Sequence, residues 1–118
     1  MLHAMLEEVR RRHWLIFCFG RDFTTLSVVA GVYTWDAGYT DVILLRDADD
    51  AVSYRVRTDT THDIFAPATV TWYYVGEVWA VRAILDLDPP DRLITGEHAA
   101  PFVGVPLNQR RPVTIRPA

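Results

Sequence analysis

The chain contains no lysine. Its basic side chains, histidine aside, are twelve arginines, so chemistry that needs a lysine amine is excluded: no Schiff base, no P-loop lysine beneath a phosphate, no lysine general base. An all-arginine set reads as the codon usage of a GC-rich bacterial coding sequence. Cysteine is almost as scarce. Cys18 stands alone, which excludes an internal disulfide and fits a reducing, cytoplasmic setting. It lies in an apolar run, where an inert buried thiol is expected and a nucleophile is not. Charge imbalance is small, with a formal net charge of −3, and this demands neither a strongly basic nor a strongly acidic partner. No apolar run approaches the ~20 residues a membrane-spanning helix needs. The run Trp14–Phe19 follows Arg10-Arg11-Arg12 without a small-residue cleavage site, so no secretory leader is expected.

Motifs for cofactors are missing too. His3, His13 and His98 form no zinc-ligand spacing with Cys18. Ser27 and Ser53 lack a G-x-S-x-G context, and neither G-x-G-x-x-G nor a Walker A sequence occurs. Asp47, Asp49 and Asp50 invite a calcium-loop reading, but the glycine that loop requires falls on Val52 and its closing glutamate on Thr58. Turn chemistry explains that aspartate cluster, as strand termination and solubility explain Asp86, Asp88 and Asp91. No cofactor and no metal site is expected.

What is abundant is apolar and aromatic. Half of the 118 residues are hydrophobic, and four tryptophans and five tyrosines are present, enough for one core in one domain spanning 1–118. Leu2, Met5, Leu6 and Val9 recur at helical spacing, predicting a helix over 1–12. The apolar run at 13–19 and the β-branched, aromatic stretch 24–35 predict strands; Gly31 within the second suggests a bulge or bend. Two strands, 41–46 and 51–57, flank a four-residue acidic loop. That loop length sets Leu45 against Val52 and Ile43 against Tyr54, with Val52, Tyr54 and Val56 on one face and Ser53, Arg55 and Arg57 on the other. Around Gly76-Glu77 the spacing predicts a tight hairpin, Tyr74 facing Trp79 and Trp72 facing Val81. Six of the seven prolines lie at or beyond Pro89, so 89–118 reads as an extended proline-rich tail in which Val113–Arg116 adds one edge strand.

These elements predict an α+β domain: an N-terminal helix packed on a strongly twisted antiparallel sheet of about six strands over 13–88, with a half-open barrel as the alternative. The function classes follow from what is exposed. The first is a non-catalytic interaction module or accessory subunit, homodimeric or bound to a protein partner. Its surface would comprise Trp35, Trp72, Trp79, Tyr73, Arg55, Arg57 and Arg82, because Trp, Tyr and Arg dominate interface hot spots. The second is a small apolar ligand held in a pocket lined by Trp35, Trp72 and Trp79. The third is a hydrolase-like enzyme using His62 as general base beside Asp59 or Asp63, on a loop whose composition equally suits turns and caps. Nucleic acid is not favoured. Arginines gather near both termini, but residues 36–97 carry twelve acids against five arginines, and no recognition motif accompanies the charge.

Overall fold

Helix α1 (Leu2–Arg11) ends as its sequence requires, at the arginines. Its C-terminus closes through His13, which adopts a left-handed φ of 67°. His13 N donates to Arg10 O (3.0 Å) and Trp14 N to Val9 O (3.2 Å), the paired bonds that satisfy a helix's last carbonyls. The reversal brings Val9 and Trp14 into one apolar cluster. The computed structural model describes residues 2–20, 26–47, 49–90, 97–102, 104–105 and 112–113.

The body is an antiparallel sheet. Its long members are β1 (Leu15–Gly20), β2 (Leu26–Trp35), β3 (Tyr39–Asp47) and β4 (Asp50–Arg57). A short β5 (Thr69–Val70) precedes β6 (Trp72–Gly76), α2 (Trp79–Leu85), β7 (His98–Ala99) and β8 (Pro112–Val113). The sheet order is β6-β4-β3-β2-β1-β8, while β5 and β7 form a separate two-stranded pair. The ends of the larger sheet do not meet, so it is open and the barrel alternative falls. The β1–β2 and β2–β3 registers run unbroken through Gly31, which is therefore not a bulge. Of the edge strand expected at 113–116, Pro112–Val113 pairs with Phe19 and Cys18; residues 114–118 lie outside the described residues. Among the described residues, no helix is long and apolar enough to cross a membrane.

The main correction concerns Gly76-Glu77. The chain does not fold back as a hairpin. Gly76, at φ +154°, leaves the strand in a conformation open to glycine. Ala80 N then bonds Glu77 O (2.9 Å) and Val81 N bonds Val78 O (3.0 Å), starting α2. Val78, Val81, Ile84 and Leu85 recur at helical spacing and are all buried. The same letters fit a strand's alternation. What decides is the sheet beneath, whose face carries Ile43, Leu45 and Ala51 and is covered by α2 together with Val9 and Trp14. The second helix also replaces the end of the sheet expected over 13–88.

The opposite face is covered as well. Phe19, Val28, Ala30, Val42, Leu44, Val52, Tyr54 and Val56 pack there with Val70 and Val105, joined by Ile64, Phe65 and Phe102. Tyr54 stacks on Phe102 at 4.8 Å and donates its hydroxyl to Ile64 O. Strand β4 is thus buried on both faces, not half-buried. The 58–68 segment and residues 97–102 and 104–105 are its second roof. Val105 N donates to Phe65 O (2.8 Å), and a Cβ on Gly104 would be driven into the Phe65 carbonyl and the Ala66 backbone. Backbone cannot retreat as a flexible side chain does, so Gly104→Ala is expected to cost about 1–3 kcal/mol in urea unfolding.

Among the described residues, one buried side-chain polar atom has no partner. Ser53 Oγ lies on the α2 side of β4, inaccessible and unbonded. Removing a buried, unsatisfied hydroxyl relieves a desolvation penalty, so Ser53→Ala is expected to raise stability by about 1 kcal/mol, read as an upward shift in the thermal midpoint.

Candidate functional site

One rung of the sheet holds the most unusual chemistry. Tyr33 pairs with Asp41, Asp41 with Arg55, and Arg55 with Trp72. All four side chains therefore stand in a row on the α2 side. Asp41 is 1% exposed and Arg55 2%. Burying two charges is costly unless their geometry is good and their remaining groups are bonded. Both conditions hold here. Arg55 Nε donates to Asp41 Oδ1 (2.6 Å) and Nη2 to Oδ2 (2.9 Å), a bidentate pairing. Its Nη1 reaches Asp88 O (2.9 Å), and Trp35 Nε1 donates to Asp41 Oδ2 (2.9 Å). The guanidinium also lies 5.8 Å from the Trp35 ring centre, within the range of a cation–π contact.

Above this row is a half-open cleft of about 260 Å³, lined by Arg12, Trp14, Tyr33, Trp35, Asp41, Ile84, Leu85, Leu87 and Pro89. Its aromatic wall is continuous: Trp14 and Tyr33 lie 5.8 Å apart, Tyr33 and Trp35 4.8 Å apart and edge-on. Arg12 is held at the rim by Leu85 O (2.9 Å) and Glu8 Oε1 (2.7 Å). Glu8 also accepts from Arg82 Nη2 (2.6 Å). The Arg82 hydrogen bond, helped by Arg12 and opposed by partial desolvation, holds the Glu8 carboxyl below its ordinary range. The same contact raises the Arg82 guanidinium. The Glu8–Arg82 ion pair and the Arg12–Leu85 hydrogen bond tie α1 to α2.

A second feature lies at the sheet's end. Tyr73, Tyr74 and Val75 are 43%, 42% and 52% exposed, and Trp79 follows at 47%. Apart from Leu15, these are the large apolar side chains exposed among the described residues. They sit together on β6, the terminal strand, and on the first turn of α2.

The residues singled out from sequence are therefore dispersed. Trp35 lines the cleft. Trp72 packs against the helix-side core, and Trp79 stands exposed on α2, so the expected three-tryptophan pocket does not form. Tyr73 is exposed on β6. Arg55 is not a surface residue but half of the buried pair. Arg82 is committed to Glu8 and, at 3.7 Å, to Asp86. Arg57 is half-exposed and 3.7 Å from Asp59. The 58–63 loop does turn and cap work: Thr58 N donates to Gly38 O (2.9 Å), Thr61 N to Arg57 O (3.1 Å), and Asp63 Oδ1 accepts from Phe65 N (3.1 Å). His62 is exposed on that loop. Cys18 is buried, and burial raises its thiol pKa. Arg110, Arg111 and Arg116 lie outside the described residues. Among the described residues, no cluster of His, Cys, Asp or Glu side chains is suited to hold a metal ion.

Asp41 and the wall made by Trp14 and Tyr33 are not among the residues that sequence singles out. A signal existed: Asp41 and Arg55 are opposite charges set among apolar residues on consecutive strands. Compared with protein-family models, with curated proteins and with solved structures, the chain matches none.

Proposed function

We propose that the chain is a non-catalytic interaction module whose working surface is the β6 edge with the adjoining turn of α2. The observation that supports this is that Tyr73, Tyr74, Val75 and Trp79 are all exposed, on or next to a terminal strand whose outer edge has no partner strand among the described residues. An apolar terminal strand without charges invites another extended chain to pair with it, and backbone hydrogen bonding plus alternating side-chain pockets is a common mode of peptide recognition. Tyrosine and tryptophan supply contact area at low entropic cost. The test is association with a panel of extended, alternating apolar peptides. The wild-type chain is expected to bind members of the panel or itself. Val75→Lys combined with Trp79→Glu is expected to weaken that association at least tenfold, with folding stability held within about 1 kcal/mol because neither side chain is buried. Undiminished association by the double variant would move the working surface elsewhere.

The cleft supports a second reading, a site for a small planar ligand against Trp14, Tyr33 and Trp35. Its volume decides the ranking: about 260 Å³ falls below the roughly 300–1,000 Å³ of ordinary ligand pockets. Quenching of tryptophan fluorescence by small aromatic acids, abolished by Trp35→Ala, would favour this reading over the first.

A further inference from the structure

We infer that the occupant of the β6 edge is a second copy of this chain, paired antiparallel about a two-fold axis at Tyr74. The inference rests on the reading of β6 as the working edge, and the backbone fixes its register. In an antiparallel ladder each residue turns both backbone polar groups to the same neighbour, and successive residues alternate. Thr58 N donates to Gly38 O (2.9 Å), one rung beyond the Arg57–Tyr39 pair. Even-numbered residues of β4 therefore address β3, and the odd-numbered Ala51, Ser53 and Arg55 address β6. Their partners Gly76, Tyr74 and Trp72 commit their own N–H and C=O groups to β4. Thr71 N reaches the same Arg55 O (2.8 Å), two residues against one as in a β-bulge. The groups left pointing outward are those of Tyr73 and Val75.

A two-fold axis at Tyr74 sets Tyr73 of one copy against Val75 of the other, and the reverse. Every outward N–H and C=O of the strand then finds a partner, giving four hydrogen bonds in all. An axis at Tyr73 would pair Val75 with Thr71, whose N–H is already turned to Arg55. An axis at Val75 would carry Tyr73 past the strand's end at Gly76. Side chains agree with the Tyr74 register. Tyr73 and Val75 meet on the Tyr54 side of the sheet, an aromatic against a β-branched residue. Tyr74 meets its own copy on the α2 side.

Charge agrees as well. Terminal strands that must stay single usually carry lysine, proline or inward charges. Residues 72–76 have none of these, and the chain has no lysine to offer. In this register the nearest acid, Glu77, falls opposite Thr71. The two Glu77 carboxylates are then about 20 Å apart at roughly 3.4 Å per residue, well beyond the Debye length of about 8 Å.

Cysteine scanning under mild oxidation tests the register, with sedimentation of the wild-type chain alongside. At the two-fold, residue 74 faces itself across a non-hydrogen-bonded rung, about 4.5 Å between Cα atoms, inside the disulfide range of about 4.4–6.8 Å. Residue 73 and its copy are diagonal neighbours some 7–8 Å apart, outside it. Tyr74→Cys is expected to form covalent dimer at least tenfold faster than Tyr73→Cys, while buried Cys18 stays silent. The wild-type mass is expected to rise toward the dimer with concentration, and Tyr74→Lys, which opposes two like charges, to weaken the dimer at least tenfold. A wild-type chain that remains monomeric at its highest soluble concentration overturns the inference, and so does Tyr73→Cys cross-linking as fast as Tyr74→Cys. If the cysteine variants misfold, the wild-type sedimentation decides alone. A monomer that still binds extended peptides, and loses them with Val75→Lys and Trp79→Glu, removes self-pairing while the interaction reading stands. Loss of both removes the two together.

Discussion

Asp41→Ala is expected to cost about 3–5 kcal/mol of folding stability. The loss is not the strength of a salt bridge as such. It is the penalty of leaving the Arg55 guanidinium, 2% exposed, buried with one carbonyl and one indole ring for company, while Trp35 Nε1 loses its acceptor. Equilibrium urea unfolding measures it. The companion experiment separates pairing from burial: Asp41→Leu together with Arg55→Met removes both charges and fills the rung with apolar volume. That double variant is expected to regain most of the loss, and buried pairs so replaced have gained about 1–4 kcal/mol. A cost below about 1 kcal/mol for Asp41→Ala would mean that water reaches the pair and that the rung is not sealed.

The second large effect concerns α2, and it is a comparison. Ile84 is 2% exposed and Trp79 is 47% exposed. With 79–85 helical, Ile84→Ala opens a cavity between α2 and the sheet and is expected to cost about 2–5 kcal/mol. Trp79→Ala should change stability by less than about 1 kcal/mol, because it truncates a surface side chain. A hairpin at Gly76-Glu77 predicts the reverse, since Trp79 would then face Tyr74 inside the core, where truncating a tryptophan costs about 3–5 kcal/mol. The ranking of the two midpoints in denaturant therefore distinguishes the structures even if both magnitudes are smaller than expected.

That pair of residues also shows how much of the fold the sequence carries. The helix at 2–11, the strands β1 to β4 and their antiparallel order follow from periodicity and turn chemistry. The stretch after Gly76 does not, because Val78, Val81, Ile84 and Leu85 satisfy a helical stripe while neighbouring positions satisfy alternation. Only the apolar sheet face it must cover breaks the tie, a contact between segments distant in sequence. The proline pair offers a hint: Pro89-Pro90 shortly after Leu85 suits a helix end as well as a strand end.

The buried pair is hidden by one residue of register. A four-residue loop over 47–50 opposes Leu45 to Val52, which sets Asp41 against Val56. In the structure Asp47 pairs with Asp50, and an irregularity between Leu45 and Asp47 shifts the ladder so that Leu45 meets Ala51 and Asp41 meets Arg55. Asp49 N bonded to Asp47 Oδ1 (2.7 Å) stabilises that tighter turn. A single-residue slip moves every cross-strand partner, and with it the only clue that two lone charges belong together. The exposed aromatic edge, by contrast, is half legible. Composition places Tyr73 and Trp79 on a surface, but that Tyr73 lies on an outer edge, because β6 ends the sheet, is something composition does not reveal.

Amide hydrogen exchange of β6, read residue by residue by NMR in dilute solution, tests the free edge most directly. Exchange is expected to alternate: slow at Trp72, Tyr74 and Gly76, whose N–H groups are turned to β4, and fast at Tyr73 and Val75, whose N–H groups face outward. Equal protection at all five residues would contradict it, because the edge would then already be paired within one chain.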